Sequence, residues 1–266
     1  MLDKKYTAGV LAISVFMTSG FITAQAQTSE EKGFAIAKER KVRDSGWNDS
    51  IQQTTMVLRN AKGKESIREI RIKSLEVVDD GDKGLTIFDK PADLKGTAFL
   101  SFSHINKADD QWLYLPSLKR VKRISSRNKA GPFMGSEFSY EDLSSFELEK
   151  FKFNYLKDDM FNGSQMFVIE SFPTDEDSGY TKLISWVDQD KYLVHKVDFY
   201  DRKSTKFKTL TANNYKLYLN KFWRAESMTM INHQTGKSTT MTYHDVKFNQ
   251  GLTVRDFNKN SLKRAR

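Results

Sequence analysis

The fold is decided by one short stretch of the chain, Lys150-Phe151-Lys152-Phe153-Asn154-Tyr155, in which polar and aromatic residues alternate without a break. Successive side chains of a β-strand point to opposite faces of a sheet, so the alternation places three aromatic rings on one face and polar groups on the other. Such a strand is typical of an antiparallel sheet with one face buried and one face in water. The stretch therefore predicts a sheet with an apolar inside.

The strongest turn signal follows this strand. Asn162-Gly163 favours a type I′ hairpin turn, because both central residues of that turn need positive φ. The turn would pair a strand ending near Leu156 with one starting near Gln165. Working outward, period-two patterns between turn residues predict twelve strands of an antiparallel meander, near residues 53–59, 66–78, 85–88, 97–102, 111–115, 149–156, 165–172, 182–187, 192–201, 206–219, 224–232 and 238–248.

Two other segments indicate how this sheet is covered. Residues 98–102 and 112–115 carry bulky apolar side chains on both faces, so those strands need cover on each side. Near the start of the chain, Thr28 and Glu31 form a capping-box pattern that predicts a helix to about Arg43. Its apolar face is thin, with Phe34, Ala37 and Val42 near one side, so the helix must be held by packing on the sheet. These features favour a curved sheet with helices against its concave face.

The first residues have the pattern of an export signal. Lys4 and Lys5 precede an apolar region at 10–22 that is too short to span a membrane, and Ala24-Gln25-Ala26 is a cleavage site of small residues. We predict removal of residues 1–26 and a periplasmic protein. Residues 27–266 contain no repeat or low-complexity linker and are predicted to form one β domain. The absence of cysteine excludes disulfides, a lipid-modified cysteine and thiol chemistry.

The formal net charge is +9, and one run, residues 119–129, has six basic residues among its eleven positions. An exported protein meets little nucleic acid, so anionic lipid or an acidic partner is the better match for this charge. Two interpretations of the run stay open: a solvated strand and loop, or a docking patch for a membrane or a transporter. The basic residues are Lys119, Arg120, Lys122, Arg123, Arg127 and Lys129.

Catalytic and metal-binding patterns are missing from the sequence. The four histidines do not have metal-ligand spacing, and His195 is predicted to be a core residue. The chain has no nucleophile elbow, phosphate loop or dinucleotide fingerprint. Its acidic clusters at 79–82, 158–159 and 175–177 adjoin turn residues and are interpreted as solvated hairpin tips. We predict no catalytic residue, no metal and no cofactor.

One segment carries a family resemblance. Trp112-Leu113-Tyr114-Leu115-Pro116 leads through the basic run into Gly131-Pro132-Phe133-Met134-Gly135-Ser136-Glu137-Phe138-Ser139-Tyr140-Glu141-Asp142-Leu143. This segment resembles the LolA-like outer membrane lipoprotein-sorting proteins, in particular the branch that accompanies RND (MMPL) exporters. The resemblance implies a mainly β (α+β) fold: a strongly curved antiparallel half-barrel of about 10–12 strands, with helices over the concave face and an apolar hollow for acyl chains.

The resemblance also implies which residues contact the cargo or a membrane. Gly131 and Gly135 bracket Pro132-Phe133-Met134, which suits an exposed apolar loop. Phe133 and Met134 would either insert at a lipid surface or line the mouth of the hollow. Met228 and Met230 share one strand face, where methionine would adapt a cavity to varied ligands. The predicted contact residues are Phe99, Phe102, Trp112, Tyr114, Phe133, Met134, Phe138, Tyr140, Met228 and Met230.

The sequence therefore favours a periplasmic carrier for lipid or for the acyl chains of lipoproteins. Its partners would be that cargo, an RND-type inner-membrane transporter and, transiently, a membrane surface. Two alternatives remain: a sensing or adaptor module that binds a partner protein, and an envelope hydrolase that uses scattered carboxylates.

Overall fold

A single antiparallel sheet of thirteen strands dominates the computed structural model, which describes residue 1 and residues 27–264. The predicted signal peptide therefore lies, apart from Met1, outside the described residues. The curved, open sheet has the strand order β6-β5-β4-β3-β2-β1-β13-β12-β11-β10-β9-β8-β7. The strands are β1 Asp49–Arg59, β2 Glu65–Leu75, β3 Lys83–Lys90, β4 Ala98–Phe102, β5 Asp110–Leu115, β6 Arg120–Ile124, β7 Phe151–Phe161, β8 Ser164–Pro173, β9 Lys182–Asp188, β10 Val194–Tyr200, β11 Lys206–Tyr218, β12 Phe222–Asn232 and β13 Ser238–Phe248.

The hairpin at Asn162-Gly163 is confirmed. Both residues have positive φ, 49° and 80°, and Phe161 pairs with Ser164 across the turn. The strand before the turn is longer than predicted, because β7 continues beyond Leu156 to Phe161. The twelve predicted strands all correspond to strands of the sheet, but β6 was missed. Its two apolar residues, Val121 and Ile124, are three apart, so they fall on opposite faces and leave no period-two signal.

The predicted helix is α1, Ser29–Arg43, and its capping box is confirmed. The Glu31 amide donates to the Thr28 hydroxyl at 3.1 Å, and the Thr28 amide donates to the Glu31 carboxylate at 2.9 Å. The buried residues of α1 are Gly33, Ile36 and Ala37. Phe34 and Val42, which we expected on the packed side, are 47% and 57% exposed.

Gly33 allows α1 to lie directly on β7. A Cβ at Gly33 would be 2.7 Å from the carbonyl carbon of Asn154, a distance that real Cβ atoms do not reach. The helix backbone can therefore approach the strand backbone only where the side chain is a hydrogen atom. Gly33 is thus a packing requirement, although glycine in a helix interior costs about 1 kcal/mol relative to alanine. Among the described residues α1 is the one α-helix, so the predicted cover by several helices is not met.

The two faces of the sheet are packed differently. We call the face that carries Met56, Phe99, Val197 and Met230 the cavity face. On the opposite face, Leu85 and Leu100 pack under the C-terminal segment through Phe257 and Leu262. Residues 98–102 and 112–115 are covered on both faces as predicted. Within the described residues, no helix has the length and apolar character needed to cross a membrane.

Candidate functional site

Residues Gly131–Leu143, which we call the strap, cross the cavity face and fill one half of it. Phe133 is 1% exposed, and its ring centroid lies 5.9 Å from Phe88 and 5.2 Å from Phe99. Phe138 is also buried in this cluster, and Tyr140 stacks edge-on against Phe133 at 5.5 Å. The interpretation of an exposed apolar loop is therefore wrong for Phe133, because the sheet and the strap bury it together.

Polar contacts hold the strap in place. Arg68 on β2 donates to the carbonyl of Met134 at 2.6 Å. Lys208 on β11, only 5% exposed, donates to the Tyr180 hydroxyl at 2.8 Å and lies 3.5 Å from the Asp142 carboxylate. Tyr180 in turn donates to Asp142 at 2.8 Å. Burial, followed by the nearby Asp142 and Glu141 carboxylates, raises the pKa of Tyr180 well above its usual value.

The other half of the cavity face is hollow. A cavity of about 600 Å³ lies between the sheet and α1, within the range of small-molecule sites. Its walls are mainly apolar, which is the surface that favours hydrocarbon over water. The apolar and aromatic wall residues are Phe146, Phe151, Phe153, Ile169, Leu183, Tyr192, Leu193, Val194, Val197, Phe199, Leu210, Ala212, Tyr215, Trp223, Ala225 and Met228.

The C-terminal end of α1 closes one side of the cavity. Ile36 and Ala37 pack against Phe153 of β7 and Ile169 of β8. Lys41 ties the end of the helix down, because its ammonium donates to the carbonyl of Phe146 and to the 2% exposed Glu147, both at 2.9 Å. These contacts fix the end of the helix. Arg40 lies one turn after Ile36 on the same face of α1 and is part of the cavity wall.

The cavity walls include five cationic side chains and one carboxylate, that of Asp44. Arg224 pairs with Asp44, and Arg43 pairs with Glu39 at 2.7 Å. Lys221 donates to the carbonyl of Ser45 at 2.7 Å, and Lys191 lies 3.5 Å from Asp190.

The fifth cation, Arg40, is placed differently. Its guanidinium carbon lies 4.2 Å from the centroid of the Phe146 ring. The side chain is partly exposed, yet desolvation by the surrounding protein lowers the pKa of Arg40. Tyr215 opposite donates its hydroxyl to the carbonyl of Val194 at 2.6 Å, and burial raises the pKa of Tyr215.

The structure separates the predicted contact residues into three places. Met228 lines the cavity. Phe99, Phe133, Phe138 and Met230 are buried in the half that the strap fills, with Met134 and Tyr140 packed beside them. Phe102, Trp112 and Tyr114 lie on the opposite face of the sheet, in the cluster under the C-terminal segment.

Sequence reasoning missed most of the cavity, including Arg40, Leu210, Ala212 and Trp223. The signal that could have found part of it was the alternation at 150–155, since Phe151 and Phe153 both line the cavity.

The basic run forms the edge of the sheet. Lys119, Arg120, Lys122, Arg123 and Arg127 are exposed. Arg120 and Lys122 share the face of Ile124, whereas Arg123 lies on the other face and pairs with Asp110. Lys129 is withdrawn from the run, because it is half-buried and pairs with Asp175. An edge strand rich in lysine and arginine resists pairing with another sheet. This protection of the edge is one explanation of the basic residues that requires no binding partner.

The histidines and acidic clusters make internal contacts. His195, which we expected in the core, is instead partly exposed beside Tyr215, and its Nε2 lies 3.3 Å from the Asp188 carboxylate. His104 lies 2.8 Å from Asp80, and this hydrogen bond is the main cause of lowering the pKa of Asp80 to about 2. The acidic cluster at 79–82 therefore makes a contact inside the protein and is not wholly solvated. In the described part of the chain, no group of three or more such side chains is arranged to hold a metal ion.

Comparisons with solved structures place this architecture. A protein domain from Vibrio parahaemolyticus, described as an outer membrane lipoprotein-sorting protein domain, is 63% identical, with a TM-score of 0.87 over 88% of this chain and 99% of that one. A DUF1329 family protein from Desulfovibrio piger is 24% identical over 88% of this chain and 99% of that one, with a TM-score of 0.84. A LolA superfamily protein from Nitrosomonas europaea is 18% identical over 85% of this chain and 97% of that one, with a TM-score of 0.68.

Sequence comparisons give one family match. A family model described only as that of an uncharacterized protein matches residues 80–264. No curated protein sequence matches the chain. The last two structures share the fold alone, but identity with the first extends over nearly all of that domain. The chain therefore belongs to the family of this outer membrane lipoprotein-sorting protein domain, and it shares its fold with the LolA superfamily protein from Nitrosomonas europaea.

Proposed function

We propose that the protein is a periplasmic carrier that holds a lipid, or the acyl chains of a lipoprotein, in the cavity between α1 and β7–β12. The observation that carries this proposal is the cavity of about 600 Å³, whose walls are mainly apolar. Each CH₂ group that enters such a cavity from water contributes about 0.8 kcal/mol, so binding and release need no chemical step. In this proposal α1 acts as the cover of the concave side.

Filling the cavity is expected to abolish uptake. Ala212 and Ala225 line it and are small, so Ala212→Phe places a ring where the chain of the ligand would lie. We expect affinity for a fluorescent fatty acid to fall at least tenfold, about 1.4 kcal/mol. Ala35→Phe is the matched control, because Ala35 is exposed on α1 and absent from the cavity wall.

The measurement is titration of the detergent-free, delipidated protein, together with native mass spectrometry of the protein purified from its own periplasm. Stoichiometric lipid in the wild type and its loss in Ala212→Phe would support the carrier. A wild type that holds no lipid and takes up none would overturn it and favour a protein-binding adaptor.

The remaining parts of the proposal concern export and partners. We propose that residues 1–26 are removed and that residues 27–266 work as one domain. The resemblance of residues 112–143 supports an RND-type inner-membrane exporter as a partner. The exposed basic residues of β6 are the proposed contact with that partner or with an anionic membrane.

Reversing charge on β6 tests this contact. Each Lys or Arg near an anionic membrane contributes about 1 kcal/mol, so Arg120→Glu with Lys122→Glu should weaken sedimentation with vesicles of phosphatidylglycerol at least tenfold. Lys62→Glu with Lys64→Glu is the matched control, since both residues are exposed in the β1–β2 turn. Equal losses in the two double variants would show a net-charge effect and remove β6 as the docking surface.

A further inference from the structure

The cavity wall contains a cation that makes no direct ion pair with the described residues. No carboxylate among them lies within 4.0 Å of the Arg40 guanidinium and none of their atoms accepts a hydrogen bond from it, so Asp44 acts on it only at longer range. The guanidinium lies over the face of the Phe146 ring, with its carbon 4.2 Å from the ring centroid. Moving a cation out of water without a partner is costly, so the site favours a ligand that supplies negative charge.

The helix dipole does not account for this placement. Arg40, Lys41 and Arg43 all lie in the last turn of α1, where cations are favourable on any side of the helix. Lys41 and Arg43 satisfy that preference while paired with Glu147 and Glu39. Arg40 and Arg43 both line the cavity, but of the three only Arg40 has no carboxylate of a described residue within 4.0 Å, and it lies four residues after the buried Ile36. Its placement without a direct ion pair therefore needs another explanation.

The surrounding charge has the same sign. Of the five cationic side chains in the cavity wall, Arg224, Arg43 and Lys191 have carboxylate partners in Asp44, Glu39 and Asp190. Among the described residues, Arg40 and Lys221 have no carboxylate within 4.0 Å. An incoming acidic group would meet net positive charge. A hydrocarbon tail would at the same time meet Phe153, Ile169 and Leu210. The two surfaces adjoin within one cavity, which is the arrangement that matches a molecule with an acidic head and an apolar tail.

We propose that the cavity binds an anionic amphiphile, with the acyl chain on the apolar wall and the carboxylate or phosphate accepting hydrogen bonds from Arg40. This inference rests on the proposed function, because it assigns the class of ligand for the same cavity. It also separates two cargoes. The acyl chains of a lipoprotein end in uncharged ester and amide groups, whereas fatty acids and phosphate lipids carry the acid that Arg40 would hold.

The test compares matched ligands on the delipidated protein by calorimetric titration. Oleic acid is paired with oleyl alcohol, and oleoyl lysophosphatidic acid with monoolein, so each pair differs in the acid group. A hydrogen bond to a charged group contributes about 1.5–3 kcal/mol, so we expect the wild type to prefer the acid at least tenfold. The pair with the larger preference identifies carboxylate or phosphate as the head group.

Variants of α1 assign the preference to one residue. Arg40→Gln should bring the affinities for the acid and for its neutral counterpart within about twofold of each other. Arg40→Lys should retain part of the preference, because the charge remains but the planar fork is lost. Lys38→Gln is the matched control, since Lys38 is exposed on the same helix. The melting temperature of each variant verifies that it is folded.

Three results would overturn the inference, and they are distinguishable. Equal affinity of the wild type for acids and neutral ligands would leave the carrier in place and remove the anionic head group. A full acid preference in Arg40→Gln would remove Arg40 as its holder. Failure of every ligand to bind would instead overturn the proposed function itself.

Discussion

Phe133→Ala is expected to lower the free energy of unfolding by about 3–5 kcal/mol, the usual cost of deleting a buried phenylalanine side chain. The ring of Phe133 is 1% exposed and packs against Phe88, Phe99 and Tyr140. Its removal would leave a void between the strap and the sheet that the short strap, anchored by Arg68 at Met134, cannot close. In a chain of this length the loss corresponds to a melting temperature lower by about 10 °C.

The control is the same substitution at an exposed ring. Phe34 is 47% exposed on α1 and touches Phe153 at a centroid distance of 6.3 Å, so Phe34→Ala should cost less than about 1 kcal/mol. Urea denaturation followed by circular dichroism measures both variants. If Phe133→Ala were as stable as Phe34→Ala, Phe133 would not be a core residue. That result would favour the sequence-based interpretation of an exposed loop that binds a membrane.

The sequence predicted the sheet well because strand formation there depends on neighbours along the chain. Alternation at residues 150–155, turn chemistry at Asn162-Gly163 and the capping box at Thr28 are local signals, and each corresponds to the expected element. β6 is the exception. Its charges serve an edge position, and edge position is a property of the whole sheet that no five-residue window contains.

The functional residues were harder to predict, for a physical reason. Pro132-Phe133-Met134 between two glycines has the same local pattern whether the segment protrudes into solvent or folds back inside a curved sheet. The difference lies in Phe88 and Phe99, which are more than thirty residues away in sequence. The cavity has the same property, because its walls combine α1, residue 146 and six strands from β7 to β12. Alternation showed that β7 had an apolar side but could not show that this side was left unfilled.

The strap and the cavity together divide the cavity face of the sheet. Where the strap crosses, its own aromatic rings complete the core around Met56, Phe99 and Met241. Beyond the strap, Ala212, Ala225 and Ser185 supply small side chains, and the space stays open. An apolar hollow therefore needs a firmly held strap next to it, since a mobile strap could fill the hollow or expose the core.

The buried contact between Lys208 and Asp142 is expected to hold that strap. Lys208→Met and Asp142→Asn should each lower the free energy of unfolding by about 3 kcal/mol, because removing one partner leaves the other polar group buried and poorly compensated. Both side chains are buried, with 6% and 8% exposure, and Tyr180 bridges them through hydrogen bonds of 2.8 Å to each. Exposed ion pairs contribute little, so Lys90→Met, which breaks the surface pair with Glu69, should cost less than about 1 kcal/mol.

The double variant decides whether the two residues act together. When both partners are removed neither charge is left alone, so Lys208→Met with Asp142→Asn should cost less than the sum of the single variants, by about 1–3 kcal/mol. Urea denaturation gives the free energies, and binding of an apolar dye reports whether the core around Phe99 becomes accessible in the folded single variants. Strictly additive losses would show that Lys208 and Asp142 do not interact, and would leave Arg68 and the packing of Phe133 as the anchors of the strap.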